Sequence, residues 1–214
     1  MKLWCISLVF SSLLCSGLVQ AGVKLNVILV RHGYALSNQL GVYNTNPKNE
    51  GYRPMPLTTK GIQQARDAGD RLNVELKQKN LKISAIYSSI LPRAVETAEI
   101  MASRLDINDL TLIKVEDLIE NNMGKFEGKK YDTFPYRHDD LSHNHDDNIQ
   151  GETLEDVRKR LKGFLSEIIL ELPEGETTIM LVTHGTPGFL ISEILGFGRI
   201  YLDNAEYRIL SING

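Results

Sequence analysis

Two short stretches of this chain bring together side chains that could handle a charged substrate. Leu25-Asn26-Val27-Ile28-Leu29-Val30 is an almost unbroken apolar run that stops at Arg31-His32-Gly33. Ile179-Met180-Leu181-Val182 runs in the same way into Thr183-His184-Gly185. An imidazole can serve as nucleophile, acid or base near neutral pH, and a guanidinium offers a planar fork of donors matched to carboxylate or phosphate. Of the five histidines, these two alone end apolar runs. The other three, His138, His143 and His145, lie among aspartates in one polar tract from Arg137 to Asp147. Histidines and carboxylates at that spacing can hold zinc or another divalent ion, and an exposed polar loop has the same composition.

The elements that would position these groups follow from the pattern of the chain. Short apolar runs rich in Val and Ile read as buried, parallel strands. In open α/β sheets ligands sit outside the carboxyl ends of such strands, which is where Arg31, His32 and His184 fall. Gly33 permits a sharp turn or a close approach of backbone to a ligand. Tyr34 to Pro56, rich in Asn, Gly, Tyr and Pro, is a long loop. Thr58 or Thr59 then caps a helix running to about Asn80. Ile83 to Ser88 is a strand, Pro92 starts a helix to about Leu105, and Leu112 to Val115 is a short strand. A glycine-spaced loop, Leu118 to Gly128, precedes the polar tract. An amphipathic helix from Leu154 is stopped by Pro173, a helix spans about Pro187 to Leu195, and a last strand lies near Tyr207 to Ile212. Strands alternating with helices imply an α/β fold, a three-layer α/β/α sandwich with a mostly parallel central sheet.

Met1-Lys2 followed by apolar residues through Val19, with Ala21 before Gly22, has the form of a secretory signal peptide. The run is short and is broken by serines and Gly17, which weighs against a membrane anchor or a buried first helix. Leu14 is larger than lipoprotein processing at Cys15 usually accepts. Residues 1–21 are therefore expected to be a signal peptide, and residues 22–214 one domain with secreted or periplasmic destination. Both cysteines fall in the leader, so residues 22–214 hold no disulfide, cysteine nucleophile or thiolate metal site. The net charge of −3 gives no support for nucleic-acid binding.

In order, the motifs resemble the histidine phosphatase superfamily, in its phosphoglycerate mutase-like branch, over nearly all of residues 22–214. The matching pieces are Arg31-His32-Gly33 with Asn38, Pro56-Leu57-Thr58 with Gly61 and Gln64-Ala65, and Tyr87-Ser88-Ser89 with Arg93-Ala94 and Glu96-Thr97-Ala98. They continue with Leu118, Glu120, Gly124 and Glu127-Gly128, then Gly151-Glu152-Thr153 with Arg160, Thr183-His184-Gly185, and Asn204-Ala205. Tyr34 and Ala35 stand where the family often has an acidic residue and then Ser or Thr. Met55 replaces a common acidic residue, and the loop from Asn38 to Leu57 is longer than in glycolytic mutases. These departures bear on substrate more than on chemistry.

The resemblance implies that His32 is the nucleophile forming a phosphohistidine. Arg31, Arg93 and His184 would bind the transferring phosphoryl group, with Asn38 a further substrate contact or a loop residue. Glu120 matches the family's acid loop, with Glu127 and Glu152 as alternatives; Thr58 reads as a helix cap and Arg53 as a solvated charge. Gly185 stands where the superfamily's other large branch carries its acid. No cofactor or metal is implied, and the partner is a small-molecule phosphate ester, with no nucleic acid and no stable membrane anchor. Three functions fit: a secreted phosphatase, a mutase-like phosphotransferase, or a non-catalytic phospho-ligand-binding protein. Mutases of the family serve cytosolic glycolysis, so export favours hydrolysis; loss of His32, Glu120 or Arg93 would have signalled the third, and all are present.

Overall fold

The computed structural model describes residues 22–107, 111–134 and 149–214. The signal-peptide expectation for residues 1–21 and the histidine–aspartate tract from His138 to Asp147 lie outside them. Five strands, β1 (Val23–Arg31), β2 (Ile83–Ser89), β3 (Leu112–Val115), β4 (Gly175–Thr183) and β5 (Tyr207–Asn213), form one sheet in the order β3-β2-β4-β1-β5. β1, β2, β3 and β4 run parallel, and β5 closes one edge antiparallel to β1.

The middle of β1 is buried on both faces from Val27 to Val30, because helices cover both sides of the sheet. On one side pack α2 (Thr59–Lys79) and α3 (Pro92–Ala102), after a short α1 (Leu36–Leu40) that the loop composition concealed. Ala65, Leu72, Ala94, Ala98 and Met101 meet Ile28, Val30, Met180 and Val182 there. On the other side α4 (Leu154–Leu170) and α5 (Gly185–Ile194) set Leu161, Leu165, Leu190 and Ile191 against Val27, Leu29, Ile179 and Leu181. Alternate residues of each strand thus feed opposite cores, and the architecture is the three-layer α/β/α sandwich that the alternation implied.

Local signals set the helix starts. The Thr58 side chain accepts the Gly61 N–H at 3.2 Å, so Thr58 caps α2 as its residue type suggests. Thr153 and Asp156 form a reciprocal capping box at α4. The last helix begins at Gly185, two residues before Pro187, so its first turn directly abuts the end of β4. At Gly33 a Cβ would lie 2.7 Å from the Gly61 carbonyl oxygen. The first turn of α2 comes close there, which excludes a side chain.

Candidate active site

The parallel register between β1 and β4 pairs Arg31 with Thr183. The next residue on each strand is a histidine, so the two rings meet beyond the strand ends with centroids 5.0 Å apart and planes tilted by 57°. The backbone continues the ladder for one more bond, His32 N–H to Thr183 C=O at 2.9 Å. From the β5 side, the Asn204 side-chain amide donates to the His32 carbonyl at 3.1 Å, and the Ala205 N–H lies 3.0 Å from the Arg31 carbonyl. His32 is therefore fixed by backbone contacts on both flanks.

Its ring is equally constrained. Nδ1 lies 2.7 Å from the Gly33 carbonyl oxygen, an acceptor only, so Nδ1 carries the proton. Nε2 is left with its lone pair, and it accepts the Nε–H of Arg93 at 3.2 Å. Burial, then the charges of Arg93 and Arg31, hold the ring well below the usual 6.5, against an opposing contribution from the Gly33 carbonyl. A neutral imidazole with a defined lone pair is the form a nucleophile requires.

Arg93 is buried at the start of α3 and makes three contacts with its full fork. Besides His32 it donates through Nη1 to the Asn44 side-chain oxygen at 2.9 Å and through Nη2 to the Asn44 carbonyl at 2.8 Å. Asn44 belongs to the long loop and was not singled out from sequence. Its neighbours are organised by Glu127, whose buried carboxylate accepts from the Thr45 N–H and hydroxyl at 2.8 and 2.7 Å. Glu127 is thus committed to holding the loop. Glu152 is committed elsewhere too, to Arg160 at 2.9 Å and the Asn122 N–H at 2.8 Å.

Glu120 is placed differently. Its carboxylate lies at the first turn of α5 and accepts from the N–H groups of Gly185 and Thr186 at 3.2 and 3.3 Å, and from Asn121 at 2.9 Å. Arg160 sets this loop by donating to the carbonyls of Asp117, Ile119 and Glu120. Arg31 reaches the same region; a Cβ on Gly185 would stand 3.7 Å from the Glu120 carboxylate and 4.0 Å from the Arg31 guanidinium carbon. Arg31 donates through Nη1 to the Leu202 carbonyl at 2.8 Å, while its buried Nε has no partner among the described residues.

Arg31, His32, Arg93 and Glu120 line one cavity of about 420 Å³. His184 does not line it. The ring is fully buried behind His32, with Nε2 2.8 Å from the Ser89 hydroxyl and Nδ1 unpartnered among the described residues. Burial first, then Arg93 and His32, keep it well below 6.5 as well. Asn38 is on the lining, but its side-chain oxygen is used to accept the Ala35 N–H at 3.0 Å. Arg53 is exposed and bonds the Tyr52 carbonyl, away from the lining. Among the residues missed from sequence are Asn44, Phe189, Tyr201 and Asp203, all on the lining. Nothing in their local spacing marks them; only the chain's return past β4 and β5 gathers them.

His32, the guanidinium forks of Arg31 and Arg93 and the Glu120 carboxylate at a helix start share this lining, and guanidinium forks match the geometry of phosphate or carboxylate. The profile of the histidine phosphatase superfamily (branch 1) matches residues 27–214. A protein named probable phosphoglycerate mutase GpmB, from Escherichia fergusonii, is 34% identical over 179 residues, spanning 80% of this chain and 75% of the relative. The crystal structure of phosphoglycerate mutase from Bacillus anthracis superposes with a TM-score of 0.73 at 23% identity, covering 90% of this chain and 89% of the other. A mycobacterial glucosyl-3-phosphoglycerate phosphatase superposes with a TM-score of 0.67 at 21% identity, covering 88% and 90%. At those identities the two structures establish the fold alone.

Proposed function

Since the chain belongs to the histidine phosphatase superfamily, branch 1, we propose that it hydrolyses phosphate monoesters through a phosphohistidine at His32. The observation that carries this reading is the His32 ring itself: Nδ1 is tied to the Gly33 carbonyl, and the Nε2 lone pair meets Arg93 at the cavity wall. Phosphoryl transfer asks mainly for positioning and for positive charge on the equatorial oxygens, and Arg31 and Arg93 supply that charge.

In the first step the Nε2 lone pair forms a bond to phosphorus while the ester P–O bond breaks. The departing oxygen takes a proton from the Glu120 carboxyl. Arg93 exchanges its Asn44 contacts for phosphate oxygens, and the His184 ring, buried behind His32, backs the nucleophile. In the second step water attacks phosphorus, Glu120 takes the water's proton, and the N–P bond breaks to return the lone pair to His32. Phosphate leaves, and Glu120 is again protonated for the next turnover. Each of the two displacements is easier than direct attack by water on the ester.

The test is His32→Ala together with a trap of the phosphoenzyme. Wild type quenched without acid should carry acid-labile label on histidine, and the variant should neither label nor turn over. Label on serine, or full activity in the variant, would remove the mechanism.

The names of the relatives favour one second reading, a phosphotransferase that returns the group to its product. Incubation with 3-phosphoglycerate separates the two, since a hydrolase releases inorganic phosphate and a mutase yields the isomeric ester. We read residues 1–21 as a cleaved leader, so the enzyme works outside the cytoplasm. That would put Gly22 at the mature N-terminus, which N-terminal sequencing of the purified protein checks.

A further inference from the structure

Arg93 and Glu120 must act on one phosphoryl group, yet the chain that sets them is irregular. Residues 120–123, and residues 43–46 around the Asn44 that Arg93 grips, lie outside the helices and strands. Such backbone keeps a fixed place only where contacts from elsewhere hold it. Asn122 makes those contacts in two directions. On one side its N–H donates to the Glu152 carboxylate and its carbonyl accepts the Glu152 N–H, both at 2.8 Å. Glu152 in turn pairs with the Arg160 guanidinium, which also donates to the Glu120 carbonyl at 3.3 Å. On the other side the Asn122 side-chain oxygen accepts the Asn49 amide at 2.6 Å and the Gly124 N–H at 2.8 Å. Asn49 donates as well to Glu127 at 3.2 Å, the carboxylate that holds Thr45 beside Asn44. A second crossing bond runs from the Met123 N–H to the Thr45 hydroxyl at 3.1 Å. Asn122 itself is half-buried and is not on the cavity lining.

Resting on the phosphomonoesterase reading, we infer that Asn122 is a positioning residue: through Asn49, its side chain locks the loop that carries the acid Glu120 to the loop that sets Arg93, so that proton donor and guanidinium fork keep one spacing. Removing its side-chain oxygen takes a partner from Asn49 and from the Gly124 N–H. The Met123–Thr45 bond survives that change, so the loop loosens without coming apart. Glu120 is the group that suffers. A proton moves only within hydrogen-bond reach of the departing oxygen, whereas the attraction of a guanidinium for phosphate declines gradually with distance. Loosening therefore costs most where the leaving group needs its proton.

Asn49→Ala and Asn122→Ala remove the same hydrogen bond from opposite ends, and Asn49 is far from Glu120 along the chain. Values of kcat/KM for methyl phosphate and p-nitrophenyl phosphate report the first phosphoryl transfer. Each variant should lose about fivefold more on methyl phosphate than on the nitrophenyl ester, the worth of one hydrogen bond. The double variant should lose little more than either single one, because both changes break one connection. The amide signals of Gly185 and Thr186, whose N–H groups donate to the Glu120 carboxylate, read its placement by NMR without turnover and should shift in all three variants. Equal losses on both esters, losses that multiply in the double variant, or unmoved amide signals in Asn49→Ala would overturn the inference. Should Asn122→Ala not fold, Asn49→Ala decides alone. Shifted amides in a protein that turns over neither ester uphold the positioning role and fail the hydrolase reading, whereas turnover through His32 with unmoved amides does the opposite.

Discussion

The Ser89 hydroxyl stands 2.8 Å from Nε2 of His184 and is the hydrogen-bond partner of that buried ring among the described residues. Ser89 Oγ already lies 3.3 Å from the Leu91 N–H, which it accepts. With a second lone pair and its own proton left, the hydroxyl can either donate to His184 Nε2 or accept from it. Register explains the contact, because Ser88 of β2 pairs with Val182 of β4 and puts Ser89 beside the end of that strand.

Ser89→Ala removes the partner of Nε2, so the proton distribution over the His184 ring that packs on His32 should shift. Nitrogen NMR of His184 should show the tautomer shift, and kcat/KM should fall about tenfold, the worth of one well-placed hydrogen bond. Unchanged nitrogen shifts would show that Ser89 merely fills space.

Arg93→Lys keeps the charge and loses the fork, so one ammonium must replace three directed contacts. A loss of about a hundredfold in kcat/KM is expected. Asn44→Ala removes only one of the two acceptors that Asn44 offers Arg93, and its effect should be several-fold and concentrated in KM. Steady-state kinetics on one ester distinguishes the two patterns, and equal losses would mean that loop position matters more than the fork.

Glu120→Gln should depend on the leaving group. An alkyl alcohol needs its proton as the P–O bond breaks, whereas p-nitrophenolate departs without one. General acid catalysis is typically worth about 10²–10⁴-fold, so that range is expected for an alkyl phosphate, with much less for the p-nitrophenyl ester in the burst phase. Equal losses on both esters in the first step would assign Glu120 to positioning.

His32 and His184 are both held well below 6.5 by burial and nearby cations. Between that lowered value and 6.5 the unfolded chain binds protons that the folded chain does not. Stability should therefore fall as pH drops below about 6.5, by up to about 2 kcal/mol per ring at pH 5. Denaturant titrations at pH 7.5 and 5.0 measure the loss, and a His32→Gln, His184→Gln double variant should lose less over the same interval. An identical loss in the double variant would place the proton uptake elsewhere.

Much of this arrangement was legible in the chain because the informative residues contradict their surroundings. A cation and two imidazoles at the ends of buried apolar runs have a clear structural meaning, and Thr58 and Pro92 mark helix starts by local backbone chemistry. The contacts that commit the neighbouring carboxylates were not legible. The resemblance favoured Glu120 over Glu127 and Glu152, but the loop paths are what separate the one on the cavity from the two spent on Thr45 and Arg160. His184 likewise gave no sign that its ring would sit behind His32, since depth beneath a neighbouring strand end depends on sheet order. α1 escaped notice because five residues in a polar loop leave no periodicity to read.

β1 lies between β4 and β5, and its histidine takes backbone contacts from Thr183 on one side and Asn204 on the other. During synthesis His32 emerges early, yet both of these anchors come more than a hundred residues later. A nascent chain carries the reactive imidazole for most of its translation without the strand that buries it or the arginine geometry that directs it. The enzyme's chemistry is consequently the last thing to be switched on. A chain released before Asn204 would hold nearly every residue of the cavity and still lack the β5-side contact that fixes the His32 backbone.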